Sequence, residues 1–162
     1  MHIDIAEGST HDLALLAPLH YRAGPPATAE LILRAASGRS HEETVGVLVV
    51  SRPTLNARWR SALWPGEPAG DSPAQRAALL NAQLRTISRV IIAPRFRGLG
   101  IATRLVRTYL DSPLTRRTEA VAAMGAFSGF FRTAGMREVT LAPSRRDRHL
   151  RLALRTARIE PW

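Results

Sequence analysis

The sequence predicts a mixed α/β fold in which helices flank a central sheet. Its 162 residues suffice for one domain with a substantial core, and 45% hydrophobic with 22% charged residues is typical of globular proteins. Apolar segments with strand periodicity and helix periodicity alternate along the chain. Because no repeat or low-complexity tract interrupts them, we expect a single domain over residues 1–162.

The first half of the chain predicts a strand, a helix, a hairpin and a long partly helical connection before the next strand. We call this connection, residues 52–84, the excursion. Ser9-Thr10 offers an N-cap for the first helix, whose leucines recur at helical spacing. Gly38 lies in the polar stretch between the two hairpin strands, and Ser72 followed by Pro73 begins the helix of the excursion. The predicted segments are 2–6 (strand), 12–19 (helix), 31–33 and 44–50 (hairpin) and 52–84 (excursion, helical from 73).

The second half predicts three strands that alternate with three helices. Pro94 ends the first of these strands, which is a continuous apolar run, and Gly135 is suited to cap the second helix at its C-terminus. The predicted strands are 89–93, 120–124 and 139–141, and the predicted helices are 101–110, 127–134 and 145–158, the last of them basic.

The charge is strongly asymmetric along the chain. The net charge is +10 and every one of the 23 basic residues is arginine. Residues 1–84 hold 7 Arg and 8 acidic residues (net −1), and residues 85–162 hold 16 Arg and 5 acidic residues (net +11), which add up to +10. A positive field of this kind attracts polyanions such as nucleotides, nucleic acids or acidic proteins, although a solvated arginine surface has the same composition.

Several classes of protein are excluded or disfavoured. The absence of cysteine excludes disulfides, thiolate zinc sites and a cysteine nucleophile, and the five histidines lack the spacing of a metal site. The sequence contains neither an apolar run of membrane-spanning length nor a secretory signal pattern. We therefore expect a cytoplasmic protein without a metal and without a membrane partner, and its oligomeric state, a dimer included, stays open.

A glycine loop follows the predicted strand 89–93 and opens the predicted helix 101–110. Glycine lets the backbone approach a ligand closely, and the amides at a helix N-terminus attract anions. The nucleoside-triphosphatase loop requires a lysine, which this chain lacks, and the dinucleotide fingerprint requires a third glycine. The alternative is a tight structural turn. The loop reads Arg97-Gly98-Leu99-Gly100-Ile101-Ala102-Thr103.

This loop resembles the Arg/Gln-x-x-Gly-x-Gly/Ala motif of the GNAT superfamily of acyl-CoA N-acyltransferases. A second segment, from Phe130 to Met136, resembles the aromatic-aromatic-x-x-x-Gly-apolar segment of that family. The resemblance implies a mostly antiparallel sheet, flanked by helices and splayed at the cofactor strand. It also implies that amides from Arg97 to Thr103 bind the pyrophosphate of acetyl-CoA, and that the backbone of Ile91 and Ile92 pairs with pantetheine.

The catalytic groups are less certain, because the tyrosine that many GNAT enzymes use as proton donor corresponds to Phe131 here. Ser128 could replace that donor, or it could simply be a helix N-cap. Glu119 is the candidate base, unless it forms an ion pair with Arg116 or Arg117. His20 and Tyr21 could do acid–base work, hold a metal or be structural. This pair also resembles a His-Tyr pair in Mom-type phage DNA-modification proteins.

Two further clusters are candidates for binding nucleic acid. Trp59 and Trp64 with neighbouring arginines could stack on a base or anchor a loop. Four arginines of the last predicted helix share one face that could follow phosphates or be merely solvated: Arg148, Arg151, Arg155 and Arg158.

The function predicted from these features is acetyl-CoA-dependent N-acetyl transfer to an unknown amine by direct attack. The positive charge favours an acidic macromolecule or a nucleic acid as acceptor over a polycation. The alternatives are a non-catalytic acyl-CoA-binding regulatory module and a GNAT relative that binds or modifies nucleic acid.

Overall fold

The computed structural model describes residues 2–21, 24, 26–38, 43–66, 70–122, 128–141, 143 and 145–159. It divides into two compact units. The first consists of Met1–Asn56 with Pro68–Arg137, and the second of Ala57–Glu67 with Glu138–Trp162. Organisation as one domain therefore stays a prediction.

The first unit contains a five-stranded sheet with strands in the order of the sequence. The strands are β1 (Ile3–Glu7), β2 (Ala29–Ser37), β3 (Glu43–Ser51), β4 (Leu84–Ile92) and β5 (Arg117–Ala120). The pairs β1–β2, β2–β3 and β3–β4 are antiparallel, and β4–β5 is parallel. The predicted mixed α/β fold with a mostly antiparallel sheet is confirmed.

Six helices accompany these strands in the described residues. They are α1 (Thr10–Leu16, continued by a 3₁₀ turn at Ala17–Leu19), α2 (Arg58–Leu63), α3 (Pro73–Gln83), α4 (Ile101–Asp111), α5 (Phe130–Thr133) and α6 (Arg145–Thr156). Helices α2 and α6 lie in the second unit and the others in the first. None of the described helices combines the length and the apolar character that crossing a bilayer requires.

Two apolar clusters cover the two faces of the sheet. Apolar residues of α4 recur at i, i+4, i+5 and i+8 and join β3 side chains such as Leu48 and Val50 in one buried cluster. On the other face, Leu13 and Leu16 of α1 pack in a cluster with Val47 and other residues of the sheet. The side chains of alternate β3 residues therefore face α4 on one side of the sheet and α1 on the other, which fixes the N-terminus of α4 against the sheet.

The start of α1 is fastened to the sheet by a buried carboxylate. Asp12 accepts hydrogen bonds from the Ser9 amide (2.8 Å) and from the Thr44 hydroxyl of β3 (2.6 Å), and Ser9 caps the helix as predicted. Burial raises the pKa of Asp12, but the hydrogen bonds and the charge of Arg34 outweigh it, so that the pKa lies below its usual value.

Several element boundaries differ from the sequence-based predictions. β4 begins at Leu84 rather than at residue 89, because its polar first half pairs with both neighbouring strands, and β5 begins at Arg117 rather than at 120. The predicted end of that strand and the start of the predicted helix 127–134 lie among residues 123–127, outside the described residues. No strand forms at 139–141, which is described as irregular, and the excursion contains the additional helix α2.

Candidate functional site

The pairing of β4 with β5 stops before β4 itself ends. In the described residues the last pair is Ile87 with Ala120, whereas β4 continues alongside β3 as far as Ile92. The edge of β4 that faces away from β3 is therefore not covered by β5 beyond Ile87. This is the splay that the sequence resemblance implies.

The register shows which backbone groups face the uncovered edge. The Ala93 amide donates to the Val45 carbonyl (2.9 Å), so the next hydrogen-bonded pair along the ladder is Ile91 with Val47. The N–H and C=O groups of Val90 and Ile92 alternate with this pair and point to the uncovered edge. The backbone of Ile91, predicted to pair with a ligand, instead points to β3, and its side chain is buried on the α1 face.

A β-bulge lies where the splay begins. Val49 pairs with Arg89 and Val50 pairs with Ile87, so that Ser88 is the extra residue of β4. The Ser88 hydroxyl donates to the Val49 carbonyl (3.2 Å) and accepts from the Ser51 hydroxyl, 2.7 Å away. Since Ser51 is buried, this pair of hydroxyls holds the bulge and the strand beyond it in one geometry.

The glycine loop joins the end of β4 to α4. Arg97 donates from Nε to the carbonyl of Ile92 (3.2 Å), which fastens the loop to the strand. Gly98 and Gly100 have φ values of +80° and +75°, a conformation that side chains rarely adopt. Gly100 is the N-cap of α4 and provides no side chain to bond the amides of the first turn.

Six consecutive amides, from Gly98 to Thr103, have no hydrogen-bond acceptor within the part of the chain that the structure describes. The first intrahelical bond runs from the Arg104 amide to the Gly100 carbonyl (3.0 Å). Unpaired amides at the positive end of a helix dipole attract anions, and phosphate is a common ligand of such sites. The arrangement is therefore chemically suited to an anion, and binding of one at this loop stays a prediction.

The loop, β4 and the segment before α5 enclose a cleft of about 350 Å³. Its lining residues are Val90, Ile92, Phe96, Arg97, Gly98, Gly100, Ile101, Ala102, Thr103, Ser128 and Phe130. Eight of these were candidate site residues. Leu99 and Ile91 were also candidates but are not among them, and the Leu99 side chain is 53% exposed.

The cleft includes three apolar residues that were not predicted as site residues. Val90, Phe96 and Phe130 are the apolar residues that line the cleft in addition to those of the glycine loop and Ile92. Val90 could have been recognised only from the strand register. Phe96 and Phe130 were visible as aromatic residues beside the two motifs.

Ser128 stands in the cleft rather than capping a helix. The N-cap of α5 is Gly129, which makes no side-chain capping bond, so the interpretation of Ser128 as an N-cap is wrong. The helix ends as predicted at Gly135, because the amides of Gly135 and Met136 bond to the carbonyls of Arg132 and Phe131 in a Schellman arrangement.

Glu119 lies outside the cleft but close to the splay. It is 6% exposed, it accepts a hydrogen bond from the Thr86 hydroxyl (2.9 Å), and it precedes Ala120, the last paired residue of β5. Its neighbour Ala120 packs in the cluster on the α4 face, so strand alternation directs the Glu119 side chain to the opposite face of the sheet.

His20 and Tyr21 are not brought to the cleft. They follow the 3₁₀ turn after α1, their rings lie 4.5 Å apart, and Tyr21 is 65% exposed. Within the described residues no group of three metal-ligating side chains gathers near them or elsewhere.

The aromatic and basic residues of α2 are used in packing. Arg60 is buried, and its guanidinium lies 5.9 Å from the centre of the Trp59 ring, which is itself half-buried. This arrangement fits the anchoring interpretation better than an exposed stacking platform.

Comparisons with known proteins give structural matches only; no protein-family model and no curated protein matches the sequence. The aminoglycoside 6'-N-acetyltransferase AAC(6')-Ih from Acinetobacter baumannii matches 88% of this chain and 96% of its own, at 15% identity and a TM-score of 0.54. A GNAT-family acetyltransferase from Streptococcus pneumoniae TIGR4 matches 89% of this chain and 99% of its own, at 13% identity and a TM-score of 0.53. The aminoglycoside N-acetyltransferase AAC(6')-Iy in complex with CoA matches 89% of this chain and 95% of its own, at 14% identity and a TM-score of 0.51. The chain therefore has the fold of the GNAT acetyltransferases, as the resemblance of its glycine loop predicted.

Proposed function

We propose that the protein is an N-acetyltransferase that uses acetyl-CoA as acyl donor. The observation that carries the proposal is the cleft, in which six unpaired amides at the start of α4 adjoin an uncovered backbone edge of β4. The fold shared with acetyltransferases, one of them a CoA complex, supports the same conclusion.

The cleft fits the two chemically different parts of CoA. The amides of Gly98 to Thr103 suit the pyrophosphate, and the Arg97 side chain adds positive charge beside them. Pantetheine carries amides of its own, and these match the N–H and C=O groups of Val90 and the N–H of Ile92 on the uncovered edge, whereas the Ile92 carbonyl already accepts a hydrogen bond from Arg97. We thus assign to Val90 the role that the sequence alone gave to Ile91.

The residues near the splay would perform the transfer. Acetyl-CoA supplies the thioester, whose C–S bond breaks as the C–N bond to the amine forms. A backbone amide on the uncovered edge of β4 donates to the carbonyl oxygen as it becomes negative, and Ser128 donates a hydrogen bond to the leaving sulfur. Glu119 takes the proton that the amine loses. His20 and Tyr21 stay candidates for contacts with the acceptor.

Replacing Ser128 with alanine should lower the turnover number about 10-fold, which corresponds to about 1.4 kcal/mol, the contribution of one hydrogen bond. The dissociation constant for acetyl-CoA should stay within about 2-fold, because loss of a bond made mainly in the transition state spares ground-state binding. Ser128→Thr keeps the hydroxyl and should retain activity. Equal turnover of the alanine and threonine variants would remove Ser128 from the chemistry.

Replacing Ser88 with alanine should weaken acetyl-CoA binding about 5-fold, the equivalent of one hydrogen bond. The bulge loses the hydroxyl that bonds Val49 and Ser51, so the backbone groups of Val90 and Ile92 should lose their alignment. Binding of 3'-phosphoadenosine 5'-diphosphate, which lacks pantetheine, should not change. Ser88→Thr should restore binding, and equal losses for both ligands would show that the effect is only structural.

A second candidate function is that of a non-catalytic acyl-CoA-binding module. It is favoured by Phe131, which stacks at 4.3 Å on Phe130 and offers no hydroxyl where many relatives have a tyrosine. The discriminating experiment is release of free thiol from acetyl-CoA in the presence of amine-bearing peptides, RNA, DNA and aminoglycosides. Release with any acceptor supports the enzyme, whereas tight binding without release from the whole panel supports the module.

A further inference from the structure

The C-terminal helix α6 carries a row of arginines that the acetyltransferase proposal does not use. Arg148, Arg151 and Arg155 have the spacing i, i+3 and i+7, which places them within about 60° of one another around the helix. All three are exposed, and no residue of α6 is buried. Arg158 follows just after the helix, in a left-handed conformation (φ +55°) at its C-terminal cap. We call these four residues the arginine row.

The charge of this row is not neutralised by the residues that the structure describes. Arg148 donates to the Pro143 carbonyl (2.9 Å), which is a neutral acceptor. No acidic side chain of the described ranges pairs with Arg151, Arg155 or Arg158. The row is therefore a concentrated positive surface, and a partner with regularly spaced negative charges would satisfy it.

The length of the row suits a phosphodiester backbone. Arg148 and Arg155 are seven residues apart, or about 10 Å along the helix; measured along the axis of a duplex, at 3.4 Å per charge, this spans about three phosphates of one strand. A guanidinium binds phosphate through two parallel hydrogen bonds. Because Arg60 and Trp59 of α2 are engaged in packing, these two residues offer no exposed platform for stacking on unpaired bases.

A membrane surface suits α6 less well. Leu150 and Leu152 are 58% and 64% exposed, and their spacing of two residues places them on nearly opposite sides of the helix. A helix that lies on a membrane needs its large apolar residues together on one face, opposite the basic residues.

We propose that the arginine row binds the phosphodiester backbone of nucleic acid without base selection. This surface is distinct from the cleft, and the proposal does not depend on acetyl transfer. Binding of this kind is driven by release of counterions, so the logarithm of the binding constant should fall linearly with the logarithm of the salt concentration.

The test is fluorescence anisotropy of a labelled 20-base-pair DNA duplex and of a 20-nucleotide RNA, titrated with the full chain at several salt concentrations. The variant Arg151→Gln with Arg155→Gln removes two charges from the row. The matched control, Arg137→Gln with Arg146→Gln, also removes two charges, one of them before α6 and the other from the side of α6 opposite Arg155. Circular dichroism of each variant shows whether the helix is retained.

The expected result is binding by the unsubstituted protein and an affinity at least about 10-fold lower in the row variant. For the duplex, the slope of the logarithm of the binding constant against the logarithm of the salt concentration should be smaller in magnitude by about 1.8. The affinity of the control variant for nucleic acid should fall less than about 3-fold, since its two charges act only through the overall electrostatic field of the protein. Equal losses in the two variants, a salt-independent affinity, or no binding at low salt would overturn the proposal. Equally tight binding to phosphatidylserine vesicles or to polyglutamate would overturn the choice of nucleic acid as partner.

Discussion

Replacing Gly100 with glutamate is expected to weaken CoA binding by at least about 100-fold, the equivalent of losing one or two hydrogen bonds to a charged group. The substitution places a carboxylate beside amides that we assign to the pyrophosphate, and like charges repel. A Cβ at this position meets no atom within 4 Å, so the side chain does not disturb the core. The cost to folding should be limited to the positive φ of +75°. Isothermal titration calorimetry with CoA measures the loss.

Gly66 provides a matched control for this substitution. Its φ is +79°, and a Cβ there also meets no atom within 4 Å, so Gly66→Glu introduces the same strain and the same charge far along the chain from the loop. It should bind CoA like the unsubstituted protein. Undiminished affinity in a folded Gly100→Glu variant would refute the assignment of the loop to the cofactor.

Replacing Glu119 with glutamine is expected to lower turnover about 100-fold or more, the usual contribution of a general base. The amide cannot take the proton from the amine, but its oxygen can still accept the hydrogen bond from Thr86. The hydrogen bond to Thr86 is therefore retained, and binding of acetyl-CoA should change little. Steady-state kinetics with an acceptor from the thiol-release panel provide the measurement.

Thr86→Val serves as the control for a structural role of Glu119. It removes the hydroxyl that donates to Glu119 and leaves the carboxylate in place. If Glu119 acts as the base, this variant should lose stability and retain most of its turnover. A Glu119→Gln enzyme with unchanged turnover, or with only a lower melting temperature, would reduce Glu119 to a structural residue.

The glycine loop was predictable because its information is local. A strand, a proline, two glycines and an amphipathic helix lie within about twenty consecutive residues, and each limits the conformation of the next. The capping residues Ser9 and Gly135 were predictable for the same reason. Local rules of this kind act through the few residues next to each terminus.

The choice between Ile91 and Val90 could not be made from the sequence. It depends on the pairing of β4 with β3, which brings together residues more than forty positions apart, and on the bulge at Ser88, which reverses the alternation within β4. Glu119 shows the same limit, since its hydrogen bond to Thr86 exists only because β5 runs parallel to the first half of β4.

The polar strand ends were mispredicted because apolar runs determine sequence-based boundaries. Arg85 of β4 forms an ion pair with Glu30 of β2. Arg52, the residue after β3, forms an ion pair with the same carboxylate. These bonds hold the pKa of Glu30 below its usual value, chiefly through the hydrogen bond from Arg52. Strand pairing and an ion pair thus extend β4 five residues beyond the apolar segment, which periodicity alone does not reveal.

The most direct test of the central claim is a calorimetric titration of the full chain with acetyl-CoA and, separately, with free CoA. The cleft predicts one site per chain and a dissociation constant of about 1 µM to 100 µM, corresponding to about 5.5 to 8 kcal/mol. The 3'-phosphoadenosine 5'-diphosphate fragment should bind more weakly because it cannot use the edge of β4. If neither CoA nor acetyl-CoA produces binding heat, and competition experiments also detect no binding, the glycine loop is a structural turn and the proposed acetyltransferase function is wrong.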